Sequence, residues 1–520
     1  MTQLLIQGGR VIDPASGRDE TADVVIADGR ITAIGRALGA GGARRIDASG
    51  CVVMPGLVDL AARLREPGHE HEGMLESELR AAAAGGVTSL VCPPDTDPPL
   101  DEPGLVEMLK FRARKLSSCR LFPLGALTRG LAGEVLTEMA ELSEAGCVGF
   151  SQADAPVRDT MVLLRALQYA ATFGHTVWLR PQDSWLGQGV AASGAVATRL
   201  GLSGVPVAAE TVALHTIIEL VRTTSARVHL CRLSSAAGVA LVRQAKREGL
   251  PISADVSVHS LHLTDVDIGY FNADMRLTPP LRQGADRTAL REALADGTID
   301  ALVSDHHPVL DDEKNLPFAE AEPGASAVEL LLSLALKWGQ DQGLDLPHTL
   351  ARVTSEPARV LGGGLGGLQA SAGRLLEGGV ADLCLFDPAA TWRATRETLT
   401  SQGKHTPFDF TATGTALPGR VLATVLAVAF TAQPGGAVSD IGGVGFGRRT
   451  RIDARKNAAP SLAALETSSR SGVDSERTAP AASARSTTGR LPQPASSTMP
   501  NAALFGNFHA SDTTAPPPFS

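Results

Sequence analysis

The chain has 520 residues, 43% hydrophobic and 20% charged, with a formal net charge of −9; this balance suits a globular protein with one large domain plus appendages. The acidic surplus argues against a general nucleic-acid binder or a binder of anionic membranes, since both need a basic surface. No apolar run approaches the ~18 residues of a membrane span, the N-terminus lacks the features of a secretory signal, and the six scattered cysteines include no C-x-x-C pair, so a cytoplasmic protein with reduced thiols is expected.

The first fifty residues read as short strands. "LLIQGGRVI" and "ADVVIADGRITAIG" carry alternating or β-branched apolar runs, and Asp28-Gly29 is a two-residue hairpin signal. From Val52 the texture changes. Short apolar runs ("VTSLVCP", "CRLFPLGAL", "GCVGFS", "HTVWLRP", "ARVHLCRLS", "LPISADVS", "IDALVSD") are each followed by a polar stretch and a segment of helical period. "TMVLLRALQYAATFG" and "AAGVALVRQAKREG" read as helices closing on a glycine. Strand-then-helix units repeated roughly eight times predict an α/β fold, a (β/α)8 TIM-like barrel, over residues 54–369. An open doubly wound sheet is the competitor, but no glycine-rich phosphate fingerprint follows the first strand.

Strand texture returns in "GGVADLCLFDP" and "LPGRVLATVLAVAF". Strands at both ends predict a small β-sandwich domain assembled from residues 1–53 and 370–430. Over residues 431–520 the composition shifts to Gly, Ala, Ser, Thr, Pro and Arg without periodicity, which predicts a disordered tail. The abrupt change near "LAVAFTAQPGG" leaves two readings open, a native flexible extension or a frameshift in a GC-rich gene.

In the order they occur, "MPGLVD" with "LREPG", "PPDTDPPLD", "TPPLR", "GTIDALVSDHHP" and "PFAEAEPGASAVELLL" resemble segments of the dihydroorotases within the amidohydrolase superfamily. The resemblance runs through roughly residues 1–425. It implies a barrel whose C-terminal mouth holds two zinc-like ions that polarise an amide carbonyl and activate a bridging water. In that family the first strand supplies His-x-His, since alternate strand residues share a face; here those places are Ala61 and Arg63. The bridging acidic position corresponds to Gln152, within "FSQAD". Two further histidine positions are Arg180 and Arg232, and only the final aspartate remains, as Asp305. Arginine stays protonated and offers no lone pair to a metal. The resemblance therefore implies no catalytic residue beyond the remnant Asp305, no metal and no other cofactor.

Among substrate-contact positions, Arg65 matches the arginine that clasps the substrate carboxylate in the family. Asp95 and Thr278 stand where asparagines are expected, and Val309 replaces a histidine. Arg63, Arg180 and Arg232 either form an anion site or pair with Asp59, Asp154, Asp255 or Asp305 and fill the vacated volume. Adjacent residues His306 and His307 should face opposite ways and cannot share one ion. His69 and His71 have alternate spacing but no third ligand evident nearby, so they read as solvated or interface residues. His259 and His262 resemble a supporting histidine segment, and Cys231 reads as an inert core thiol. Three functional expectations follow. The first is a non-catalytic dihydroorotase homologue of pyrimidine biosynthesis that acts as a structural subunit for the aspartate carbamoyltransferase catalytic chain, in a homo- or hetero-oligomer. The second is an active cyclic amide hydrolase with a reorganised site, and the third is a small-anion sensor built on the arginines.

Overall fold

The computed structural model describes residues 3–39, 41–409 and 416–427. The barrel strands are β1 (Leu57–Asp59), β2 (Val87–Cys92), β3 (Arg120–Pro123, continued by Gly125–Ala126), β4 (Phe150–Ser151), β5 (Thr176–Leu179), β6 (Arg227–Leu230), β7 (Ile252–Ser257) and β8 (Ala301–Val303). All neighbouring pairs are parallel. A three-stranded sheet, β1 to β3, and a six-stranded sheet, β3 to β8, share the bent β3. At that bend the Leu124 N–H donates to the Cys92 carbonyl and the Gly125 N–H to the Gly149 carbonyl, both at 2.9 Å. The circle closes past β8, where Ala62 pairs with His306 and the Arg63 N–H donates to the His306 carbonyl at 2.8 Å. Every residue of β2 is buried, as expected for a parallel strand covered on both faces.

The two helices read from sequence span Thr160–Phe173 and Ala236–Arg247. The first is N-capped by Asp159 and stops at Gly174, at φ 70°. It buries Leu163, Ala166, Leu167 and Ala170, one stripe of period 3.6. The second begins at Ser235, whose hydroxyl accepts from the Gly238 N–H.

The small domain joins strands from residues 3–55 and 383–425 in one seven-stranded sheet, folded around a core that includes Ile6, Val24, Ile31, Val53 and Leu383. Strand Val52–Pro55 is its seam, pairing in parallel with Gln3–Asp13 and antiparallel with Leu383–Trp392. At the predicted hairpin Asp28 and Gly29 both adopt positive φ, 51° and 73°, which brings Ala27 opposite Arg30.

Residues 393–409, expected within the small domain, run instead across the barrel. There the Ser401 hydroxyl donates to Glu78 Oε2 at 2.6 Å and the Gln402 N–H to Glu78 Oε1 at 2.9 Å. Glu329 accepts the Thr400 and Ser401 N–H groups at 2.7 and 2.9 Å. Glu78 lies on the inward face of helix Leu75–Ala84, an unusual place for a carboxylate, and it also faces His306. The His306 Nδ1 accepts the Ala327 N–H at 3.1 Å, so Nε2 carries the proton that it donates to Glu78 at 2.8 Å. Burial opposes the charge on Glu78, but its hydrogen bonds to His306, Ser401 and Gln402 prevail and hold its pKa below the usual range. The predicted tail over 431–520, and with it the choice between an extension and a frameshift, lies outside the described residues. Among the described residues no helix is long and apolar enough to cross a membrane.

Glu78→Ala should strand the His306 and Ser401 donors and lower the unfolding free energy by about 3 kcal/mol. Urea denaturation would register this as a lower midpoint, with a smaller loss for Glu78→Gln, which keeps one acceptor. An unchanged midpoint for Glu78→Ala would show that this carboxylate does not fasten residues 400–402 to the barrel.

Candidate functional site

The C-terminal ends of the strands form the mouth of the barrel, where this architecture places ligands. Arg63 follows β1, Asp95 follows β2, Asp154 follows β4, Arg180 follows β5, Arg232 follows β6 and Asp305 follows β8. The fold brings all six together. Arg63 donates from Nε to Asp95 and from Nη2 to Asp154, both at 2.8 Å, and its Nη1 stands 3.9 Å from Asp305. Arg180 reaches Asp154 from Nε at 2.6 Å and donates from Nη2 to the Asp154 carbonyl at 3.0 Å; its Nη1 donates to Gln182. Arg232 donates to Asp305 from Nη1 at 3.0 Å and to Asp154 from Nη2, and its Nη1 also meets the Thr278 carbonyl at 3.3 Å.

Asp154 thus touches all three guanidiniums. The arginine side chains are 5–7% exposed, whereas Asp154 retains 31%, so the carboxylate sits at the rim with the cations beneath it. Three cations face three carboxylates. The cluster is therefore close to neutral, not the net positive field that the arginines alone suggest. Burial disfavours the charged form of Asp154, yet Arg232, Arg63 and Arg180 hold its pKa well below the usual carboxylate range. At Asp305 burial wins and pushes the carboxyl up to about 6, against Arg232 and Arg63.

Several sequence expectations need correction. Asp59 pairs with none of the three arginines: it accepts from the Ser304 N–H and hydroxyl at 3.1 and 2.5 Å and the Ala61 N–H at 3.3 Å. Asp255 accepts the Arg232 backbone N–H at 2.6 Å and faces His229 Nε2 at 2.8 Å, so it binds the backbone of Arg232 and not its guanidinium. Asp95, which stands where the resemblance expects a substrate-contact asparagine, is engaged by Arg63. Arg65, expected from the resemblance to contact a substrate carboxylate, points to Glu72, with Nη2 2.6 Å from Oε2, and so faces a carboxylate of its own chain.

Ala61 has no donor side chain. The amide of Gln152 ties neighbouring loops, accepting the Thr128 hydroxyl at 2.9 Å and donating to the Leu131 carbonyl at 2.7 Å. His306 and His307 diverge as adjacent residues should: His306 meets Glu78, while His307 lines the mouth beside Arg63, Asp154 and Arg232. Burial pushes His259 and His262 down to about 3 and His307 well below its ordinary value, leaving all three neutral. His259 stacks on Phe408, and His262 meets the Leu334 carbonyl at 2.9 Å. Val309 is buried. Burial raises the Cys231 thiol well above its usual value, which suits the expected inert core residue.

The mouth residues do not fit a binuclear metal centre. Of the positions that the resemblance assigns to the family's ligands, only Asp305 carries an ionisable metal-binding group, and Arg232 engages it, while the Gln152 amide is held by Thr128 and Leu131. The cavity among the paired charges, lined by Arg63, Asp154, Arg232, Thr278, Asp305 and His307 among others, measures about 20 Å³, room for about one water; a second, of about 110 Å³, is lined by Gln152, Arg180 and Gln182 among others. Left-handed backbone occurs around the mouth at Arg65, Ala153, Arg232 and Asp305, with φ of 50–63°. Such conformations cost of order 1–3 kcal/mol each, a strain borne where the side chains are aimed into the mouth.

Comparison with known proteins agrees with this architecture. A family model described as dihydro-orotase-like matches residues 50–237. A dihydroorotase-like protein of Pseudomonas aeruginosa is 46% identical over 423 residues, covering 81% of this chain and 97% of its own. A dihydroorotase of Geobacter metallireducens is 39% identical over 407 residues, covering 78% and 94%. Among solved structures, an L-hydantoinase (dihydropyrimidinase) of Arthrobacter aurescens superposes with a TM-score of 0.72 at 25% identity, over 85% of this chain and 98% of that one. A D-hydantoinase at 21% identity superposes with a TM-score of 0.69 over 82% and 94%, a likeness of fold.

The raised pKa of Asp305 has a signed consequence. From its ordinary value of 3.8 up to about 6, the native chain keeps a proton that the unfolded chain has released. This group's contribution to stability should therefore be full below that window, decline as pH rises through it and level off above. Denaturation midpoints of the parent and Asp305→Asn across the window should differ in slope, the variant losing the decline. Parallel profiles would place the Asp305 pKa at its ordinary value.

Proposed function

The chain belongs to the dihydroorotase-like family, and from that premise we propose that it is a non-catalytic member, serving pyrimidine biosynthesis as an assembly subunit for the aspartate carbamoyltransferase catalytic chain. The observation that carries this reading is the occupied barrel mouth. An amide hydrolase of this family needs cations to polarise the carbonyl and activate water, and it needs space for a ring. Here the ligand positions hold Ala61, Arg63, Gln152, Arg180 and Arg232, and the space holds a neutral lattice of arginine and aspartate.

An active hydrolase using Asp305 as a base would need that carboxylate free to take a proton from water, but it is engaged by Arg232 at 3.0 Å. An anion sensor would need guanidinium donors aimed at open space, but these three are directed at Asp95, Asp154, Asp305 and Gln182. Both alternatives require the lattice to open. The assembly reading leaves it intact and assigns the work to the outside of the barrel.

Two measurements test the proposal together. Purified chain should give no ring-opening of dihydroorotate above the uncatalysed rate, with or without added zinc. On size-exclusion chromatography it should co-elute with the carbamoyltransferase catalytic chain as a larger assembly. Turnover that is abolished in Asp305→Asn would favour the hydrolase. A transferase whose size and activity are unchanged by this chain would remove the assembly role.

A further inference from the structure

The segment between β1 and helix Leu75–Ala84 contains Gly68-His69-Glu70-His71-Glu72-Gly73. Sequence spacing offers two histidines here and no obvious third donor. The fold supplies one. The N–H groups of Glu72 and Gly73 both donate to the His69 carbonyl, at 3.0 and 3.3 Å, and this turn folds Glu72 back beneath the two rings. His69 Nδ1 lies 3.2 Å and His71 Nε2 3.6 Å from the same oxygen, Glu72 Oε1. The three donor atoms are all within 4.8 Å of one another.

Direct contact accounts for His69, at 3.2 Å, but not for His71, since 3.6 Å is beyond hydrogen-bond range. A four-coordinate zinc-like ion with ligands near 2 Å holds its donor atoms roughly 3.3 Å apart, and the two observed separations bracket that value. Two imidazoles and one carboxylate suit zinc and its neighbours rather than magnesium or calcium, which prefer all-oxygen shells. The surroundings are built to hold the donors. The Glu72 side chain is only 4% exposed, with its second oxygen 2.6 Å from Arg65 Nη2, so Oε1 alone faces the histidines. Gln402 Nε2 donates to the Glu70 and His71 carbonyls at 3.1 and 2.8 Å, clamping the loop from a distant part of the chain. His69 and His71 remain 35% and 56% exposed, which leaves an entry path for an ion.

We propose that His69, His71 and Glu72 form a site for one divalent transition-metal ion of the zinc type, with its remaining position open to water. The site shares no residue with the barrel-mouth positions and does not depend on the function proposed above. The ion binds Glu72 Oε1 while Arg65 keeps Oε2, an outer contact that orients the ligand. Metal then fixes the loop that carries Arg65. Histidine–glutamate ion pairing is the competing explanation, and the two respond oppositely to acid. Ion pairs strengthen as the imidazoles gain protons, whereas metal binding weakens because protons compete for the same nitrogens.

The test uses the full chain, stripped with a chelator and titrated with zinc chloride in competition with a chromogenic chelator. One saturable site should appear, weakening as pH falls and accompanied by a rise in melting temperature. His69→Ala, His71→Ala and Glu72→Gln should each weaken it by more than about tenfold, whereas His307→Ala, at the barrel mouth, should leave it unchanged. Melting curves of the metal-free variants establish that each is folded before its affinity is compared. Absence of saturable zinc binding by the parent, or binding that survives in the His69→Ala/His71→Ala double variant, would overturn the proposal.

Discussion

The mouth of the barrel is organised by one carboxylate, Asp154, which accepts from Arg63, Arg180 and Arg232. Burying a guanidinium without a partner costs several kcal/mol, and three converging on one small volume would also repel one another. Asp154, with Asp95 and Asp305 beside it, makes that convergence tolerable. The six residues follow six of the barrel strands, so the lattice links the strand ends around most of the circle. A binuclear metal centre performs the same gathering by drawing ligands from separate strands. Here ion pairs do the gathering, and they leave neither an open coordination position nor a polarising cation.

The fold was legible because its signals are local. Apolar runs separated by helical segments implied the barrel, and Asp28-Gly29 marked a hairpin that the backbone forms at positive φ. The convergence of Arg63, Arg180, Arg232 and Asp305 was legible too, since the resemblance assigns all four positions to one barrel mouth and the fold brings them together there. What sequence could not give was pairing. Asp95 looked like a damaged substrate contact because its partner, Arg63, lies 32 residues away. Asp59 and Asp255 were credible partners for the arginines until Ser304, His229 and a backbone N–H took them. Glu78 is concealed in a helix whose other inward positions are apolar, and its partner His306 is 228 residues distant.

A subtler failure of sequence spacing occurs at Glu72. Two residues at alternate positions suggest a shared face only while the chain is extended. The turn at His69 breaks that rule and places the adjacent Glu72 under both rings, with Arg65 on its other oxygen. Arg65 consequently spans two readings of the molecule. In the family resemblance it is a substrate contact; in this chain it orients a carboxylate in the neighbouring loop. Arg65, Ala153, Arg232 and Asp305 all hold left-handed backbone, so local conformation as well as charge pairing sets where these side chains point.

The central claim is that charge pairing has replaced metal chemistry at the barrel mouth. Its most direct test is a crystal structure grown with zinc and dihydroorotate, with anomalous scattering recorded at the zinc edge. The account predicts Arg63, Arg180 and Arg232 closed on Asp154, with neither an anomalous peak nor a bound ring among them. Zinc peaks beside Asp305, with the arginines swung away and dihydroorotate in the space they vacate, would contradict it.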